Sequence, residues 1–201
     1  MNQAAAIDLL ERAWQLIVDE ARAVLGGELH YQAVVYHCLR ASGCPRTQIG
    51  MNVKQWIGEP ISELFQRWDA KKHPDFRGGF EPIPDIVLFA PDIAGDWRRR
   101  NYINTLRHVT CAIEVKASER AGGRLSTGEI TRDIYKLAAH RDEVVHRGGQ
   151  MQTVMMVIDV APLETERMKP ASIDECELMA SSKGVGFMYL SPVTERCLLR
   201  T

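Results

Sequence analysis

The run Val109-Thr110-Cys111-Ala112-Ile113-Glu114-Val115-Lys116-Ala117 constrains the fold most. Its β-branched and small apolar residues suit a strand inside a sheet. Side chains alternate faces along a strand, so Cys111, Ile113 and Val115 point one way and Ala112, Glu114 and Lys116 the other. Two opposite charges therefore share one face of a segment too apolar for a surface. Burying them costs several kcal/mol unless they are paired or liganded. A strand of this kind needs covering elements, and its charges need a reason.

The covering elements are legible in the periodicity. Ile7, Leu10, Ala13, Trp14, Ile17 and Ala21 recur at three- and four-residue steps and predict an amphipathic helix over 4–23. Gly26-Gly27 breaks it, and a more apolar helix follows over 28–41, closed by Ser42-Gly43. Residues 49–58 read as a short strand or extended segment, and Pro60 opens a helix through Ile61, Leu64, Phe65 and Trp68. With two glycines and three prolines, 71–84 is loop. Ile86-Val87-Leu88-Phe89 is a compact buried strand, and 91–106 is polar and irregular before the run at 109–117. Ser126 or Thr127 caps a helix over 126–146, with Glu129 as a capping-box partner. A strand at 153–160, a helix at 173–182 and a last strand at 186–190 complete the order. This alternation predicts one α/β domain, residues 1–201, with a mixed central β-sheet flanked by helices on both faces.

Composition narrows the function classes. Of 201 residues, 45 % are hydrophobic and 25 % charged, which excludes disorder, and the net charge of −1 confines any phosphate-binding surface to a local patch. Five cysteines without a C-x-x-C pair fit reduced thiols in a reducing compartment. Charges at Asp8, Glu11, Arg12, Asp19 and Glu20 argue against a signal peptide, and no apolar run reaches the ~20 residues of a membrane span. A cytoplasmic protein with no membrane partner is the expectation. No H-E-x-x-H, P-loop or G-x-S-x-G pattern occurs.

The charges on the 109–117 strand find company in Asp85, which follows Pro84 at the entrance to the preceding strand. If the two strands form an antiparallel hairpin, Asp85 falls beside Glu114 and Lys116, and Asp92 lies at the far end. Pro84-Asp85 opening one strand and Glu114-Val115-Lys116 in the next resemble the motif of the PD-(D/E)XK nuclease superfamily. Glu28, heading an upstream helix, is similar to the glutamate that members carry there; a first-turn acid favoured by the helix dipole is the alternative.

The resemblance implies a restriction-endonuclease-like core, with the N-terminal helix (1–25) outside it, and Mg²⁺-dependent hydrolysis of nucleic-acid phosphodiesters. Mn²⁺ would substitute for Mg²⁺, DNA would be favoured over RNA, and a homodimer with the first helix as an interface would be one arrangement. It assigns Asp85, Glu114 and the Val115 carbonyl as Mg²⁺ ligands, with Glu28 binding through water or holding a second ion. Lys116 would orient and help deprotonate the attacking water, its pKa depressed by the neighbouring cation. Asp133, Lys136 and His140 share one helical face that either turns to this site or is an ordinary polar face. Arg98, Arg99, Arg100 and Arg107, with Trp97 and Tyr102 nearby, read equally as a phosphate clamp and as a solvated loop, and Lys136 is a further candidate for nucleic-acid contact. A non-catalytic module of the same fold, binding nucleic acid or a partner protein, is the alternative function.

Overall fold

The computed structural model describes residues 1–199. Two helices lead: α1 (Gln3–Ala23), capped by the Asn2 side chain, and α2 (Glu28–Ala41). Next come β1 (Ile49–Met51), β2 (Ile57–Gly58), α3 (Glu63–Ala70) and β3 (Gly79–Phe80). The motif strands are β4 (Ile86–Phe89) and β5 (Val109–Ala117), with α4 (Tyr102–His108) between them. The chain continues through α5 (Thr127–His146), β6 (Gln152–Ile158), α6 (Pro170–Ser182), β7 (Gly186–Leu190) and β8 (Glu195–Leu198).

Six strands form one mixed sheet in the order β1-β4-β5-β6-β7-β8, and β2 pairs with β3 in a separate ribbon. The β4–β5 pair is antiparallel, with Ile86 opposite Ile113 and Leu88 opposite Cys111. The β5–β6 and β6–β7 pairs are parallel, as strands joined through the crossover helices α5 and α6 must be. Alternation then sorts the core into two layers. Ile86, Leu88, Cys111, Ile113, Val115 and Met156 pack against α1 and α2, while Val87, Phe89, Ala112, Met155 and Phe187 pack against α5 and α6. The mixed sheet with helices on both faces is as the periodicity predicts.

Five details differ from the sequence expectation, the first being that 71–84, read as loop, holds a 3₁₀ turn and the two-residue strand β3. The stretch 91–106 is not irregular throughout: it holds two 3₁₀ turns and the start of α4, a short helix that buries Thr105 and Leu106. Its helix signal is weak because a seven-residue element depends on tertiary packing rather than propensity. Helix α3 starts at Glu63, since the amides of Ile61 and Ser62 are tied outside the helix to the Glu143 carboxylate. Helix α6 starts three residues early, with Pro170 at its first position. The edge strand β8 was not anticipated, because it is short, charged and half-exposed, as edge strands tend to be.

Helix α1 buries Ala6, Leu9, Leu10, Ala13, Ile17, Val18 and Ala21 against the sheet. Its apolar stripe is spent inside the molecule, so that face offers no dimer interface. Among the described residues no helix is long and apolar enough to cross a membrane.

Candidate active site

Antiparallel pairing of β4 with β5 stops at Ile86↔Ile113, because Pro84 has no amide to continue the ladder. The Asp85 side chain takes over: its Oδ2 accepts the Val115 amide at 2.7 Å, while its carbonyl accepts from Asn52. Asp85 is thereby fixed beside the Glu114-Val115-Lys116 segment at 7 % exposure. Glu114 is 5 % exposed and turns toward α5, where its Oε1 accepts from Lys136 Nζ at 2.5 Å. Its Oε2 is buried without a hydrogen-bond partner.

Glu28 sits in the first turn of α2, next to the N-cap Gly27, where the helix dipole favours an acid. Its two carboxylate oxygens lie 3.2 and 3.1 Å from Lys116 Nζ. Asp133 on α5 joins both lysines, 3.5 Å from Lys116 and 3.1 Å from Lys136. Lys116 also points 3.4 Å from the Val115 carbonyl. Four elements therefore deliver one cluster of four carboxylates and two ammonium groups. Fully ionised, it carries two uncompensated negative charges.

The titration behaviour follows from that excess. Burial pushes Asp85 up to about 6, against the Val115 amide and Lys116, which favour its charge. Burial pushes Glu114 up to about 7; Lys136 opposes this, and Asp85 and Asp133 reinforce it. For Lys116, burial works against the charge, but Asp133 and Glu28 outweigh it and hold the pKa above the ordinary lysine value. Lys136 is held up in the same way by Glu114 and Asp133. Without a metal, the surrounding acids hold Lys116 as an ammonium; the expected depression belongs to the metal-bound site.

The cluster opens into a cavity of about 310 Å³ between α2, the loop after β5 and the first turns of α5. Glu28, Lys116 and Asp133 line it from inside, and Arg120, Arg124 and Arg132 contribute positive charge. Arg124 and Arg132 make no ion pair among the described residues; Arg120 only approaches Glu129 at 3.9 Å. These three arginines were not singled out from sequence. The available signal was their position, directly after the motif strand at the C-terminal edge of parallel strands, where ligand sites gather.

The other basic residues lie elsewhere. Arg98 forks onto Asp96 at 2.7 Å and Arg99 onto Glu81 at 3.0 Å, while Trp97 stacks on Phe89. Arg107 lies in the last turn of α4, which leads into Val109, five strand residues from Glu114, or about 17 Å. Arg98, Arg99, Arg100 and Arg107 do not line the cleft. Lys136 does belong to the cluster, but its ammonium is engaged by Glu114 and Asp133 rather than free for phosphate. His140 is fully buried against Gln55 and pushed down to about 3 by burial and by Lys136, so it is a neutral core residue.

Among the described residues, no three His, Cys, Asp or Glu side chains converge as a ready metal cage. The physical reason is visible: Lys116 occupies Glu28, and Lys136 occupies one oxygen of Glu114. Comparison with protein-family models, curated proteins and solved structures found no match.

Proposed function

We propose that this chain is a Mg²⁺-dependent nuclease with a restriction-endonuclease-like core, acting on nucleic acid, DNA in the first instance. The observation that carries the reading is the meeting of Asp85, Glu114 and Lys116 from adjacent strands with Glu28 from α2, in a buried cluster two positive charges short of neutrality. The antiparallel β4–β5 hairpin followed by the α5 crossover to parallel β6 supports the fold assignment.

In this reading two carboxylates and one carbonyl would hold a hard divalent cation, water completing its shell. Asp85, Glu114 and the Val115 carbonyl offer oxygen ligands, Glu114 Oε2 is buried and unpartnered, and the missing charge equals that of one Mg²⁺. When bound, Mg²⁺ would supply charge stabilisation at the phosphoryl oxygens and lower the pKa of water; Mn²⁺ prefers similar ligands.

The chain's own residues divide the remaining work. Lys116, protonated and steered by Glu28 and Asp133, donates to a phosphoryl oxygen or to the attacking water and holds it in line. A carboxylate lining the same cavity, Glu28 or Asp133, accepts the proton that the water releases. Lys136 orients Glu114 and opposes its protonation. Arg120, Arg124 and Arg132, rather than Arg98, Arg99, Arg100 and Arg107, grip the flanking phosphates.

The alternative, a non-catalytic binding module, is favoured by one feature: the two lysines partly satisfy the acids without any metal. Calorimetric titration of metal-stripped protein with Mg²⁺ separates the two readings. One site per chain, abolished in Asp85→Ala, is expected for the nuclease. Absence of Mg²⁺ binding, or equal affinity in Asp85→Ala, favours the module. A homodimer, if one forms, would use a surface other than the buried stripe of α1.

A further inference from the structure

A second concave surface lies at the other end of α5. A cavity of about 320 Å³ opens there, lined by Trp56, Tyr102, Ile103 and Val144 together with Arg107 and Arg147. That volume is at the small end of ligand pockets, which run from ~300 to 1,000 Å³. A shallower hollow shares Trp56 and Tyr102 and adds Arg99 and Arg100. Along α5, Asp133 and Val144 are eleven residues apart, about 16 Å, so this surface is separate from the carboxylate cluster.

Its side chains are divided between fixed and available. Arg147 is tied to the buried Glu143 carboxylate at 2.6 Å and to the Gly58 carbonyl, and so frames the wall. Arg107 makes no hydrogen bond or ion pair among the described residues, and the Tyr102 hydroxyl has no hydrogen-bond partner among them. Tyr102 is 40 % exposed and Ile103 58 %, an apolar outlay that the core does not use. Aromatic rings beside the uncommitted Arg107 guanidinium match a ligand with both a flat π-face and a negative charge. An apolar peptide would leave Arg107 without purpose, and a bare anion would leave the rings without one.

We propose that this surface binds a nucleotide unit, its base against Trp56 and Tyr102 and its phosphate on Arg107. The unit is either a free nucleotide or one residue of a single strand. The proposal concerns binding only and does not rest on hydrolysis at the carboxylate cluster.

The test uses the full chain in EDTA, where cleavage cannot interfere. Anisotropy of a fluorescein-labelled oligodeoxythymidylate reports strand binding, and competition by thymidine 5′-monophosphate reports capture of the free unit. Tyr102→Ala and Arg107→Ala, both at exposed positions, should each weaken binding at least about fivefold with unchanged thermal melting. Competition by the mononucleotide identifies a nucleotide pocket; strand binding without competition identifies a strand groove. Wild-type affinity in both variants overturns the proposal, as does loss confined to Arg124→Ala and Arg132→Ala. Failure of both probes to bind overturns it as well.

Discussion

Glu114→Gln is expected to stabilise the metal-free protein at alkaline pH. The ordinary glutamate value is 4.5, and burial with neighbouring acids raises Glu114 to about 7. A carboxyl whose folded value is raised keeps its proton more tightly in the native state. Its contribution is fully present below about 4.5 and is lost as pH rises through 7, when the native state must carry the charge. The difference corresponds to about 3 kcal/mol, as an order of magnitude. Glutamine keeps the shape and an acceptor for Lys136 but cannot ionise. Near pH 8 in EDTA, the variant should exceed wild type by about 3 kcal/mol, or roughly 6–12 °C in melting temperature for a domain of this size. Near pH 4 the two should converge. Saturating Mg²⁺ should then close the gap by stabilising wild type alone, by about 2.7 kcal/mol at a hundredfold excess over Kd. Chemical denaturation at the two pH values, with and without Mg²⁺, reads all of this. A variant less stable than wild type near pH 8 would mean that the Glu114–Lys136 pair outweighs the charge excess, and the account of the cluster would fail.

Other consequences follow from the same geometry. Mg²⁺ affinity should rise between about pH 5 and 8 as Asp85 and Glu114 give up protons, with proton release visible as a buffer-dependent calorimetric heat; a flat profile would contradict the raised values. Lys116→Ala should keep Mg²⁺ binding and lower the cleavage rate about 10²–10⁴-fold, and undiminished cutting would remove Lys116 from the mechanism. Arg124→Ala and Arg132→Ala should each weaken substrate binding and flatten the salt dependence by roughly one unit of log–log slope, whereas Arg98→Ala, already paired with Asp96, should change little. Glu143→Ala should cost about 3–5 kcal/mol in denaturant unfolding, because a fully buried carboxylate would leave two amides and Arg147 without their acceptor.

The hairpin and its charges were legible because two strong local rules coincide there. Ile86–Phe89 is apolar throughout, and the alternation in β5 forces Glu114 and Lys116 onto one face whatever the register. Proline before Asp85 marks where the ladder must stop. Much less of the second coordination of these charges could be read. Asp133 and Lys136 share a helical face in the sequence, but only the crossover of α5 above β5 decides that this face meets Glu114. The basic loop before α4 drew attention through its run of arginines, yet Asp96 and Glu81 claim two of them, and the hairpin carries the rest away from the cluster. Sequence proximity in a long β4–β5 connection says little about which strand end a loop attends. The direction of the Lys116 shift was likewise a property of the packed cluster, since it depends on Asp133 and Glu28 arriving from two different helices.

The most direct test is cleavage of supercoiled plasmid and single-stranded DNA with Mg²⁺, Mn²⁺ or EDTA, wild type beside Glu114→Ala and Asp85→Asn. Cutting by wild type is expected to require the divalent cation and to disappear in both variants. Absence of metal-dependent cutting by wild type, or equal cutting by the variants, would contradict the nuclease reading.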